Sequence, residues 1–232
     1  MNWTALWTSF RLATATSAIL LLASVPLAYW LAYSPRRWRY MVEAVVALPL
    51  VLPPTVLGFY VLVALSPRSP LGAWYEGAFG HPLPFTFEGL VVASLVYSLP
   101  FAIQPVAAAF GAVDRKLLEA SWLLGVSKLG TFFRVILPQS VRGLVTGVVL
   151  TFAHTVGEFG VVLMVGGNIE GVTRTVSIDV YDQVQALNYP AANRTAAVLV
   201  VFSFLVLSGV YALNRNGGSL WEILPVRGRR WS

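Results

Sequence analysis

An all-α membrane protein, a polytopic bundle of about five transmembrane helices, is the fold class this 232-residue chain predicts. Three observations carry that reading. The residues are 57% hydrophobic and only 11% charged, with a mean hydropathy of +0.71. Five stretches almost free of Lys, Arg, Asp and Glu (residues 12–33, 44–65, 89–113, 143–165 and 195–214) each hold the ~20 helical residues needed to cross a core of roughly 30 Å. The cations are unevenly placed, with twelve of the sixteen Lys and Arg residues in 34–39, 114–142 and 215–230. By the positive-inside rule those three regions are cytoplasmic, which puts the N-terminus outside and the C-terminus inside. The net charge of +6 is then a topology signal and calls for no nucleic-acid partner. No ten-residue alternation supports a barrel.

In chain order, the first stretch is too long for a signal-peptide core and has a single early cation, Arg11, so it is a retained span. The second carries LPLVLPPT, where Pro49, Pro53 and Pro54 predict a kinked or partly unwound helix. Residues 66–87 read as an outside loop rich in Gly and Pro. The third span holds Pro100 and Pro105 around Gln104. Breaks at such prolines are tolerated where protein or water, not lipid, meets the freed backbone. The fourth contains Gly143 and Gly147, spaced for close helix packing. The outside segment 166–194 includes a moderately apolar piece, 176–187, that predicts a short interfacial helix. Trp3, Trp7, Trp30, Trp38, Trp74 and Trp221 lie near span ends, where indoles favour the interface.

An enzyme reading finds nothing to build on. There is no cysteine, hence no disulfide or thiolate metal site. There is no P-loop, no nucleophile elbow, and neither His81 nor His154 has metal-ligand spacing to an acidic partner. No cofactor or metal is called for. Within the spans the notable polar pair is His154 and Glu158, four apart and so on one helix face. Glu158 falls about 22 Å from Gly143, towards the outer side. An ionisable group there is a functional candidate, a structural carboxylate bonded to a neighbouring helix being the alternative. For His154 a helix–helix hydrogen bond is the simpler reading.

Between the third and fourth spans, residues 114–138 concentrate six charges in a pattern for two short helices. Asp114 caps the first, Arg115 and Glu119 pair at i,i+4, and Leu118, Trp122 and Val126 form an apolar face. Gly125 takes the left-handed conformation that ends it, Ser127 caps the second, and Pro138 stops that one. A charged helical hairpin with an apolar stripe, tethered to a membrane domain, suits docking on a soluble partner.

These residues resemble the cytoplasmic coupling loop of ABC-importer permeases: Glu-Ala-Ala, a Gly six residues after the Glu, and hydrophobic-x-Leu-Pro about nineteen after it. Here they are Glu119-Ala120-Ser121, Gly125 and Val135-Ile136-Leu137-Pro138, with Ser at the third position. Residues 48–63, 69–74, 97–105 and 154–182 look like the molybdate permease family, and less like the sulfate permeases. That family often has Pro where this chain has Glu170. The resemblance implies a type I-like permease occupying residues 1–232 as one domain, in the cytoplasmic membrane. It implies a homodimer with a central pathway, cytoplasmic ABC ATPase subunits that hydrolyse the ATP, and an external or periplasmic oxyanion-binding protein. Glu119, Ala120, Ser121, Gly125, Leu137 and Pro138 would couple to the ATPase. The implied substrate is molybdate or tungstate, with sulfate or thiosulfate as the alternative. No Lys or Arg lies inside a span, so a dianion would be met by broken-helix amides, water and hydroxyls. Thr55, Ser98, Gln104, Thr151 and Glu158 are the pathway or gate candidates. A secondary transporter would be expected to show inverted repeats or an intramembrane charge network and would not need the hairpin. A membrane scaffold leaves the proline-broken spans unexplained.

Overall fold

The computed structural model describes residues 2–214. The tail cations Arg215, Arg227, Arg229 and Arg230, and Trp221, lie outside them. Helix α1 (Trp3–Tyr33) starts nine residues before the apolar pattern placed it, with Asn2 Oδ1 accepting the Ala5 N–H at 3.1 Å. Arg11 does not interrupt it, because its guanidinium lies 4.6 Å over the Phe87 ring. Thirty-one residues make a rod of about 46 Å, longer than a hydrocarbon core, so α1 must tilt. Its buried face is mostly small or hydroxylated (Ser9, Ala13, Ser17, Ser24, Ala28), which lets α5 (Phe87–Gly111) and α9 (Val141–Gly157) pack close. These three helices form the centre of the bundle.

The second expected span is two helices, α2 (Arg39–Val51) and α3 (Pro54–Leu65), turned 113° from each other. Consecutive prolines supply no N–H and push the residue before them out of helical space, and Leu52 and Pro53 have ψ of 138° and 133°. The stretch 66–87, expected as an outside loop, contains a helix the Gly and Pro content concealed, α4 (Pro70–Phe79). Ser69 caps it, Pro70 opens it and Gly80 ends it at φ 77°. The third span contradicts the break expected at its prolines, since α5 runs unbroken through Pro100 and Pro105. The neighbouring helix packs closely here. Cβ atoms on Gly143 and Gly147 would crowd the Pro105 and Ala102 carbonyls at 2.9 and 3.0 Å, so α9 lies directly against the α5 backbone beside Pro105.

After α6 (Arg115–Leu123) and α7 (Lys128–Thr131), the chain continues through a π-helical turn (Phe132–Ile136) into α8 (Leu137–Gln139). Pro138 therefore does not stop this helix. The wide turn, in which Leu137 N–H reaches Phe132 O, takes up the missing donor. The direction changes two residues later, at Ser140, by 67° into α9. The fourth expected span is itself interrupted. Glu158 and Phe159 leave helical space before α10 (Gly160–Gly166) resumes. Helix α11 (Val176–Gln185) forms where the short outer helix was expected. Helix α12 (Tyr189–Asn214) is the last span and the least covered, with 6% of its apolar window buried.

Candidate functional site

The hairpin closes as its residues dictate. Asp114 Oδ1 accepts the Lys116 N–H at 2.9 Å, and Arg115 Nε stands 3.7 Å from Glu119. Gly125 sits at φ 76°, with Val126 N–H reaching Ser121 O at 3.1 Å and Gly125 N–H reaching Trp122 O at 2.9 Å. That pair of bonds is a Schellman motif. Ser127 Oγ then accepts the Gly130 N–H at 3.1 Å. A buried hydroxyl pair, Ser121 Oγ to Thr131 Oγ1 at 2.8 Å, pins α6 to α7. The expected apolar face is divided. Leu118 is buried against Ala28, Phe110, Val113 and Ile136, while Trp122 is half-exposed and Val126 lies beyond the helix end. The tip is instead apolar and open, with Leu123 and Leu124 89% and 83% exposed. Glu119 and Ala120 are exposed beside it, Leu137 is half-buried and Pro138 exposed. Large apolar side chains on a polar hairpin mark a contact surface.

At the other breaks, the two interrupted spans meet. A Cβ on Gly160 would stand 2.8 Å from Pro54 Cβ, and one on Gly58 2.8 Å from Met164 Cβ, so α3 and α10 start together and run in contact. Only glycine allows that approach. Thr55, in the first turn of α3, is exposed, as is Gln104 on α5. Glu158 does not share a helical face with His154, because α9 ends at Gly157 and Glu158 is extended (φ −65°, ψ 134°). Both nevertheless point to α5. Glu158 is 3% exposed and Oε2 accepts from Ser94 Oγ at 2.8 Å, while Oε1 is buried without a partner. One turn along α5, Ser98 Oγ lies 2.9 Å from both His154 Nδ1 and Thr155 Oγ1. Thr155 donates to Thr151 O at 2.9 Å, and Thr151 to Gly147 O at 2.7 Å. With one proton per hydroxyl, Ser98 donates to Thr155 and accepts from His154 Nδ1–H. Ser98 and Thr151 thus spend their hydroxyls inside the helix pair. The imidazole stacks on Phe101 at 4.0 Å and meets Tyr97 at 4.8 Å.

Two proline- or glycine-broken spans abutting in one bundle, beside a capped hairpin with an apolar tip, form the frame onto which the family match falls. Residues 24–216 match the family described as binding-protein-dependent transport system inner membrane component. The chain belongs to that family. This inner membrane component is 49% identical over 207 residues to the molybdenum transport system permease protein ModB of Azotobacter vinelandii, covering 89% of this chain and 92% of that one. It is 33% identical over 201 residues to ModB of Escherichia coli K12, covering 85% and 86%. A chain of the crystal structure of a bacterial alginate ABC transporter shares the fold, with a TM-score of 0.72 at 15% identity over 92% of this chain and 78% of that one. In this family member Ser94, absent from the sequence-derived candidates, and Ser98 repeat at i,i+4 as Glu158 and His154 do. The repeat was legible, but the helix pairing that gives it meaning was not.

Proposed function

We propose that the chain is the permease subunit of an ATP-driven ABC importer that carries molybdate, with tungstate close behind, inward across the cytoplasmic membrane. The hairpin carries the reading. A twice-capped, hydroxyl-pinned element with Leu123 and Leu124 in the open is a rigid knob for a soluble ATPase, and this chain has no phosphate-binding loop of its own. Glu119, Ala120, Ser121, Gly125, Leu137 and Pro138 belong to the coupling element, and ATP hydrolysis to the separate subunit. The N-terminus is outside, so α4 and the 166–175 segment face an external oxyanion-binding protein. The second copy of the chain covers the α2–α3 elbow, because backbone freed by Pro53 and Pro54 at membrane depth does not face lipid. The dianion passes amides and hydroxyls at the elbow, Thr55 among them, with Gln104 towards the cytoplasm. Ser98 and Thr151 brace the helix pair that holds Glu158 at the outer side. Weak contacts suit a conduit, and affinity resides in the binding protein.

The substrate assignment follows the molybdenum permeases of similar sequence. Its test is ATP-dependent uptake in vesicles with the cognate ATPase and binding protein. Saturable molybdate uptake suppressed by tungstate is expected, and saturable sulfate uptake indifferent to excess molybdate would overturn the substrate. Orientation is tested in the cysteine-free chain with Gly77→Cys and Leu124→Cys. The first should react with an impermeant maleimide from outside and the second only from the cytoplasm.

A further inference from the structure

Between the end of α1, the end of α5 and the hairpin lies a cleft of about 700 Å³ whose lining includes Tyr29, Trp30, Arg36, Arg115, Trp122 and Lys128. Among the described residues no Asp or Glu lines it. Arg36 and Lys128 make no ion pair among the described residues, and Arg115 has only the loose, exposed contact with Glu119. Arg36 leans on the Trp38 ring at 5.7 Å instead of on a carboxylate. Three cations converging on one space, two of them with no ion pair among the described residues and the third only loosely paired, call for an anion. The aromatic lining narrows its kind, since Tyr and Trp at the end of a span sit at headgroup depth. Helix α1 narrows it further. Its uncovered stripe passes Ile19, Leu22 and Pro26 and arrives at Tyr29 and Tyr33, one turn apart and at the cleft wall. An apolar track that ends in a basic, aromatic pocket matches an amphiphile with an anionic head.

We infer that this cleft holds the phosphate headgroup of an anionic phospholipid, whose acyl chains lie along α1 and whose head bridges the span ends to the hairpin. Arg36 would anchor the phosphate from the α1 side and Lys128 from the α7 side, so the lipid ties the hairpin to the membrane at the base, leaving the Leu123–Leu124 tip free. That the leaflet is the cytoplasmic one rests on the proposed orientation. A free phosphate ion offers the same charge but has no use for the track.

The test is native mass spectrometry of the purified chain, extracted from nanodiscs of mixed phosphatidylglycerol and phosphatidylcholine. Retained phosphatidylglycerol in wild type is expected, falling by about fivefold per charge removed, hence roughly thirtyfold in R36Q/K128Q. R36K/K128R, which keeps both charges, should retain it, and this guards against a loss through misfolding. Equal retention by wild type and R36Q/K128Q would overturn the inference, leaving the cations as ligands of the helix-end carbonyls. Displacement of the lipid by millimolar inorganic phosphate would overturn it too, making the cleft a site for a soluble anion. The readout needs no transport, so its failure leaves the importer reading intact, and failed uptake leaves the lipid site intact.

Discussion

Gly125 isolates one physical cost in the hairpin. It sits at φ 76°, and a Cβ built there meets no atom within 4 Å. A substitution therefore costs only what the left-handed backbone charges it, with no collision to confuse the result. For Ala that cost is about 1–2 kcal/mol, a factor of roughly 5–30 in the ratio of closed to unwound hairpin. Asn visits this conformation more readily and should lose less, while Val, β-branched, should lose most. The Schellman bonds to Ser121 O and Trp122 O would open with the turn, releasing the Ser121–Thr131 pair. The assay is ATP-dependent uptake by the assembled complex beside hydrogen exchange of residues 114–138. Uptake should fall in the order Gly, Asn, Ala, Val, and exchange should rise in the same order. Equal uptake by all four, or an Asn variant as impaired as the Val variant, would refute a coupling role for the left-handed turn.

Leu124→Asp changes an 83% exposed side chain, so insertion and melting temperature should stay near wild type while the ATPase no longer copurifies. Retained copurification would move the docking surface elsewhere. Ser94→Ala removes the one side-chain hydrogen bond Glu158 makes among the described residues and should destabilise the bundle by about 1–3 kcal/mol. Glu158→Ala should lower uptake more than it lowers assembled complex on native gels, and an equal loss of both would assign Glu158 to packing. At Gly143 a Cβ would run into the Ala109 Cβ, so Gly143→Ala should force α9 away from α5 and cost about 1–3 kcal/mol, read as a lower melting temperature in detergent.

Local chemistry was legible wherever one short stretch sets its own conformation. The hairpin's caps at Asp114 and Ser127, its left-handed Gly125 and the proline break at 53–54 all depend on residues within a turn or two. The spans were legible too, because lipid punishes a charged or unpaired backbone at any position along them. Helix α4 hides in a Gly- and Pro-rich stretch although Ser69, Pro70 and Gly80 mark its ends, because the same residues serve helix ends and loops alike. What needed the tertiary structure was every outcome decided by a neighbour. Pro105 does not break α5, which runs on against the close-packed α9, and Pro138 follows a π-helical turn. Glu158 ends a helix that its apolar surroundings would have continued, and Gly160 is there to let Pro54 of another span approach. By itself the sequence determined which stretches are apolar enough to span, how the hairpin's two helices are capped and where that hairpin lies. Which prolines break, which hydroxyls brace and which cations share a cleft was decided by packing, because each depends on atoms far along the chain.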